Sequence, residues 1–547
     1  MRALALAALL ALLAAPISLA AEGFQRPTNG DCIALSTGSD VSLFPEQYMM
    51  VGDERSKDGF VTQVNSSRGF SVEYFPTYKV VTNSIAGETY VLSQCGAQVP
   101  PADQFPAGTK FFTVPLSSLS APETVPYAFV DFLGLTDRVH DVSPYVSAPC
   151  GQALLECPGG SSRISPDFMQ LSNATYLEEA VGPITDGLMA TSAIADYPES
   201  FAVSAAQDPG VLNRAEWVKF VALFFNQERA ASDIFTALKA EYEATKASAA
   251  SSTGKKPVVA WAQHFIYPGM GESYQISFAE YKAQYTEDAG GAMLDKDAIA
   301  AVKGVKQADP SAAEFLTFTW DGSEGSFSTQ AEAKAAFLDA LKKADVIIDE
   351  TYAENPTTYD SAALLKEWGL TEAEAAALPA WANKKVFRPD GLLSLQRTPD
   401  FTDPSKTVDT YGSDWFEGAI ARPGKVLKDI VRAVQGQGQG FTWVRNLFTE
   451  QPMVTDGKSC NAAQPCAAQP RTICPFVKEC PVGQAPALLL SSDNGCTYAE
   501  CGKASALEQP ADGASGSLPT NAAAMAAPAI VLTLIVVAFV EVLMHFC

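Results

Sequence analysis

Histidine is scarce in this chain: three among 547 residues, at 140, 264 and 545. No H-E-x-x-H and no C-x-x-C spacing occurs, so the usual zinc-ligand patterns are missing. No G-x-S-x-G elbow is present. Ser252-Thr253-Gly254-Lys255-Lys256 lacks the upstream glycine of a phosphate loop and has Lys where a magnesium-binding Ser or Thr belongs. Asp349 and Glu350 are adjacent carboxylates at a strand end, where neighbours point to opposite faces and cannot work as one acid/base couple. These absences predict a binding protein and not an enzyme, with no catalytic cofactor and no metal.

Positive charge is also thin. Against 62 Asp and Glu stand 38 Lys and Arg, a net charge of −24, which argues against nucleic acid or an anionic membrane surface as partner. It suits a soluble surface exposed to solvent.

Long hydrophobic runs sit at the two ends. Met1–Ala20 has one positive residue, Arg2, an apolar stretch, and the small residues Ser18 and Ala20 at a cleavage site. That pattern is a secretory signal peptide, too short for a spanning anchor. Ala522–Phe546 is apolar except for Pro528, Thr533, Glu541 and His545, and no Lys or Arg follows it. Asp512-Gly513-Ala514-Ser515-Gly516-Ser517 precedes it, so the end reads as a GPI-attachment signal with Ser515 as lipid anchor candidate; Asn521-Ala522-Ala523 is a second attachment point, and a single-pass helix is the alternative. Both readings place the body on the extracellular side of the plasma membrane, reached through the secretory pathway and tethered at its C-terminus.

Eleven cysteines minus Cys547 leave ten. They fall into a front group (Cys32, Cys95, Cys150, Cys157) and a rear group (Cys460, Cys466, Cys474, Cys480, Cys496, Cys501). An even count in an oxidising compartment predicts disulfides, with pairing expected within each group. Asn65-Ser66-Ser67 and Asn173-Ala174-Thr175 are glycosylation sequons at Asn65 and Asn173.

Between the ends, short apolar β-branched runs (78–82, 110–114, 139–142, 257–261, 345–348, 385–387) alternate with helical stretches such as 331–343 and 361–378. Alternation of that kind predicts an α/β fold with parallel sheets covered by helices. Asn213 to about Lys246 has no Gly or Pro and repeats apolar residues at helical spacing, which predicts one helix of ~34 residues, ~50 Å long. The expected layout is an N-terminal extension over 21–69, a first Rossmann-like lobe over 70–212, a long rigid connecting helix over 213–247 and a second lobe over 257–435. A linker and Cys-rich segment over 436–510 and a spacer with its hydrophobic tail over 511–547 complete it. Gly436-Gln437-Gly438-Gln439-Gly440 follows no strand and is read as linker, not nucleotide loop.

Aromatic and polar residues gather just past the strand ends, where α/β sheets hold ligands. Trp261, His264 and Phe265 follow one strand, Tyr352 another, Trp320 a third, and Asn83 and Ser84 the first.

Several stretches resemble the periplasmic solute-binding proteins that serve iron-siderophore, haem and vitamin B12 importers. They are Leu212–Phe220 with Phe224–Glu228, Glu287–Gly291, Ala344–Tyr352, and Asp414–Pro423 with Val426–Asp429. With the signal peptide and tail, the chain resembles the surface proteins of algal cobalamin acquisition. The resemblance covers about 70–434 and implies two lobes around a cleft that captures cobalamin for uptake, through a membrane transporter or an endocytic partner. The residues gathered past the strand ends are the expected ligand contacts: Trp261, Phe265, Trp320 and Tyr352 against the ring, and Asn83, Ser84 and His264 as polar contacts, with Trp415 added. Ferric siderophore or haem is the rival ligand; siderophore sites of this kind tend to offer Arg, and Arg388 is the main one near the candidate loops. A rival of another class is a surface adhesion or sensory protein with no small ligand.

Overall fold

The computed structural model describes residues 61–460, except 96, 98, 158–163, 166–169, 183–184, 251–253, 268–270, 308–314 and 400–406. The signal peptide, Cys32, the rear cysteines beyond Cys460, Ser515 and the hydrophobic tail therefore lie outside the described residues.

The first half carries two four-stranded sheets. One runs β1 (Phe70–Tyr74), β2 (Tyr78–Asn83), β3 (Glu88–Gln94), β4 (Lys110–Val114), antiparallel except where β4 joins β3 in parallel. The other contains β5 (Leu119–Ala121), β6 (Val139–Val142), β7 (Gly187–Ala190) and β8 (Ser200–Ala202), all parallel in the order β6-β5-β7-β8. A purely parallel sheet was expected here. The hairpins of β1–β3 arise because the connections 75–77 and 84–87 are too short for a crossover. Helices α1 (Thr124–Phe132) and α2 (Pro149–Leu155) follow β5 and β6.

The second half is built on an eight-stranded mixed sheet: β9 (Val258–Tyr267), β10 (Gly271–Ser277), β11 (Ala292–Met293), β12 (Val305–Gln307), β13 (Phe315–Thr319), β14 (Val346–Asp349), β15 (Val386–Arg388) and a last strand at 445–446. Alternation decides its two faces. Ala260, Ala262 and Ile347 enter one core, while Val259, Trp261, Val346 and Ile348 enter the other. β16 (Leu392–Pro399) and β17 (Thr407–Ser413) form a separate hairpin, and 453–455 adds a third strand beside β16. The expected strands at 78–82, 110–114, 139–142, 257–261, 345–348 and 385–387 all fall on observed strands.

The long connecting helix is where the expectation needs correcting. The stretch forms α3 (Val211–Ala215), α4 (Trp217–Leu223) and α5 (Glu228–Ala250), not one rod. Asn226 adopts a left-handed conformation (φ 54°) and reverses the chain, a conformation Asn tolerates because its side chain can bond locally. Here its Nδ2 donates to Gln94 Oε1 at 2.8 Å and its Oδ1 accepts from Lys79 Nζ at 2.9 Å. Lys79 Nζ also donates to Leu223 O at 2.7 Å, capping the end of α4. The chain therefore climbs through the first half as α4 and returns as α5. Phe235 on α5 packs in the first-half core, and Tyr242 packs in the second. At 23 residues α5 spans about 35 Å. The other long helical prediction, 361–378, breaks likewise, at Gly369 (φ 61°), into helices 361–367 and 372–376.

Cysteine pairing also departs from expectation. Cys150 on α2 is bonded to Cys460, joining the front group to the rear group across 310 residues. Gly457 packs against the backbone of Ala153, so the segment after the second half returns to the first. Sequence spacing carries no signal for this contact because it depends on where 453–460 docks. Cys95 and Cys157 are disulfide-bonded as well.

Candidate ligand-binding cleft

A cleft opens where segments of the two halves meet. The connection after β8 supplies Ala206, and α3 supplies Val211 and Arg214. Helix α6 (Glu280–Asp288) supplies Tyr281 and Tyr285. The turn 414–416 supplies Trp415 and Phe416, the connection 417–422 supplies Ala419 and Ile420, and helix α7 (Pro423–Gln435) supplies Val426. The cleft encloses about 460 Å³, counting the space open to solvent at its mouth.

Its walls are aromatic for reasons visible one layer back. Tyr281 and Tyr285 are four residues apart on α6 and so share a face. Trp415 is 6% exposed, and its ring lies 6.0 Å from that of Trp261, whose indole donates to Thr286 Oγ1 at 3.0 Å. Phe416, 39% exposed, presents a ring to solvent. Val211 N donates to Gln284 Oε1 at 2.9 Å, tying α3 to α6 across the cleft floor.

Arg214 is half-buried and rigidly held. Its Nε donates to Asp208 O at 3.1 Å, its Nη2 donates to Ala206 O, and its guanidinium lies 3.7 Å over the Tyr281 ring. Burial pushes the Tyr285 phenol up against the pull of Arg214, so it stays neutral. Among the described residues, no group of His, Cys, Asp and Glu is placed to hold a metal ion.

Of the residues singled out in the sequence, Trp415 lines this cleft. Trp261 is fully buried and supports Trp415 from behind. Asn83 is buried too; its Nδ2 donates to Ala202 O at 3.0 Å and to Ser204 Oγ at 3.1 Å, and its Oδ1 accepts the N–H groups of Ile85 and Ala86. Those bonds build the β2–β3 turn and fasten it to β8. Ser84 is exposed and donates to Gly69 O at 3.1 Å. His264 is buried between Glu272, 3.0 Å from its Nε2, and the carbonyl of Glu367, with its ring stacked on Tyr274 at 4.5 Å. Trp320 packs on Tyr274 at 5.6 Å. Phe265 is half-buried and Tyr352 is 73% exposed; neither lines the cleft.

Arg388 is committed elsewhere. It is buried, pairs with Asp349 and Asp390, and lies 3.8 Å over the Tyr359 ring. Glu350 turns the other way, to Lys282 at 2.8 Å, as strand alternation requires. Sequence reading missed Arg214, Tyr281, Tyr285 and Phe416. The four-residue spacing of the tyrosines was the one available signal, and it reads equally well as core packing.

No protein-family model matches the chain, and no curated protein matches it in sequence. Solved structures do show partial likeness. An ABC transporter substrate-binding protein from Listeria monocytogenes shares 15% identity, covering 58% of this chain and 99% of its own, with a TM-score of 0.33. A periplasmic heme binding protein from Pseudomonas aeruginosa shares 11% over 61% of this chain and 99% of its own, with a TM-score of 0.37. An ABC-type Fe3+-hydroxamate transport system from Saccharomonospora viridis shares 14% over 51% of this chain and 86% of its own, with a TM-score of 0.33. At that level of likeness the site's chemistry is read from its own side chains.

Proposed function

We propose that the chain is a cell-surface solute-binding protein that captures cobalamin in the cleft between its two halves and hands it to a membrane transporter or endocytic partner. The observation that carries this reading is the aromatic wall of Tyr281, Tyr285, Trp415 and Phe416, drawn from one helix and one turn into one concavity. Aromatic faces over an aliphatic floor suit a large, flat, partly apolar solute. Binding, not catalysis, is the role such a surface supports. The proposed cell-surface tether is the C-terminal tail, with Ser515 as the attachment point.

A second ligand reading, haem or a ferric siderophore, is favoured by one observation: Arg214 stands in the wall as a cation able to meet an anionic group. Titration calorimetry of the purified chain with cyanocobalamin, haem and a ferric hydroxamate separates these. Saturable one-to-one binding of cobalamin alone supports the first reading. Binding of another probe instead keeps the cleft and changes the solute, and no heat with any of the three rejects the small-molecule role.

A further inference from the structure

Several buried cations among the described residues are matched with carboxylates. Lys79 meets Glu228, Lys110 meets Glu88, Lys219 meets Glu216, Lys282 meets Glu350, and Arg388 and Arg445 share Asp390. Arg214 differs. It is half-buried in a wall whose other lining residues carry no charge, and among the described residues no carboxylate pairs with it. Two backbone carbonyls fix its Nε and Nη2, and the Tyr281 ring covers one face of the guanidinium. Among the described residues Nη1 carries no hydrogen bond. Carbonyl bonds and ring stacking offset part of the desolvation of a guanidinium, but they leave its charge uncompensated. In a chain with 62 acidic residues against 38 basic ones, a cation left without an anion is a site waiting for one.

We propose that Arg214 is the anion-reading residue of the cleft, and that the solute carries an anionic oxygen group, a phosphodiester or a carboxylate, placed against its free edge. This rests on the reading of the cleft as a small-molecule site. The guanidinium is pre-oriented, so little side-chain entropy is lost when the anion docks, and the apolar walls strengthen the attraction. Arg214 thereby selects among solutes of similar shape: the aromatic wall accepts a flat body, and Arg214 requires that it be charged.

Titration calorimetry on the full chain tests this with three probes and two ionic strengths. Cyanocobalamin carries a phosphodiester, dicyanocobinamide has the same corrin ring but lacks the phosphodiester together with its ribose and benzimidazole, and haem carries carboxylates. The expected result is cobalamin binding about tenfold or more tighter than cobinamide, with its affinity falling as salt rises from about 0.05 to 0.5 M. Both effects should vanish in Arg214→Gln and be partly restored in Arg214→Lys. Haem binding that depends on Arg214 and on salt in the same way, without cobalamin binding, upholds the inference and assigns the carboxylate as the anion. Equal affinity of cobalamin and cobinamide for the wild type, with affinities for all bound probes insensitive to salt, overturns the inference and leaves the cleft reading standing. Binding of no probe overturns both. The salt dependence of wild-type binding, which a lost base or ribose contact would not produce, keeps the inference open to refutation even where a substitution at Arg214 disturbs the loop it holds.

Discussion

Ser147 donates its backbone N–H to Glu417 Oε2 at 2.6 Å, joining the first half to the turn that leads into α7. Ala148 N donates to the other carboxylate oxygen at 2.8 Å, and Ser147 Oγ donates to Asp414 Oδ1 at 2.7 Å. Close by, Arg422 lies 4.5 Å over the Phe132 ring. The two halves are thus fastened on one side by this buried latch, while α5 packs in both cores. Ligand entry should need little domain motion because of this latch, although the single stiff helix expected from the sequence is broken at Asn226.

The latch carries a pH dependence. Burial, reinforced by the neighbouring Asp414, pushes the Glu417 carboxyl up to about 8, against the lowering effect of the Ser147 and Ala148 N–H groups. Its ordinary value is 4.5, so between pH 4.5 and about 8 the folded chain holds a proton that the unfolded chain has released. Stability from this group is full below that window and declines as pH rises through it. Thermal unfolding midpoints should fall from pH 5 to pH 8, and Glu417→Gln should flatten the decline.

Lys79 and Glu228 are both fully buried, 2.6 Å apart, at the reversal between α4 and α5. Removing one partner strands the other charge. Lys79→Met should cost about 3–5 kcal/mol in denaturant unfolding. The double change Lys79→Met with Glu228→Leu should recover most of that loss.

The α/β character, six of the strands and the existence of a helical connection were legible in the sequence, because period-two and helical patterns report burial directly. The break at Asn226 was not. Nothing local marks it, since Lys79 and Gln94, which stabilise the left-handed turn, come from a sheet more than 130 residues away. The site was legible only in part. Trp261 and Trp415 both stood out as aromatic, but the sequence cannot say that one forms the wall and the other backs it. His264 and Asn83 looked like ligand donors because polar residues at strand ends often are, whereas here every named bond is spent inside the protein.

The Cys150–Cys460 bond fastens the segment after the second half to α2. Peptide mapping without reduction should recover a peptide pair spanning these two cysteines. Replacing both by Ser should lower stability by up to about 5 kcal/mol and leave 453–460 open to proteolysis. Recovery of Cys460 bonded to a rear-group cysteine would contradict the docking of this segment.

Phe416 offers the cleanest test of the aromatic wall because it is already partly exposed. Phe416→Ala should weaken solute binding about tenfold, roughly 1.4 kcal/mol, with little change in the melting temperature. Tyr352→Ala, outside the cleft, should leave affinity unchanged.

Hydrogen exchange with and without cyanocobalamin measures the location of the site directly. Slowed exchange is expected in peptides covering 206–214, 281–285 and 415–426, with the rest of the chain unaltered. Protection concentrated instead around Phe265, Trp320 and Tyr352 would place the solute at the second-half strand ends and contradict the cleft described here.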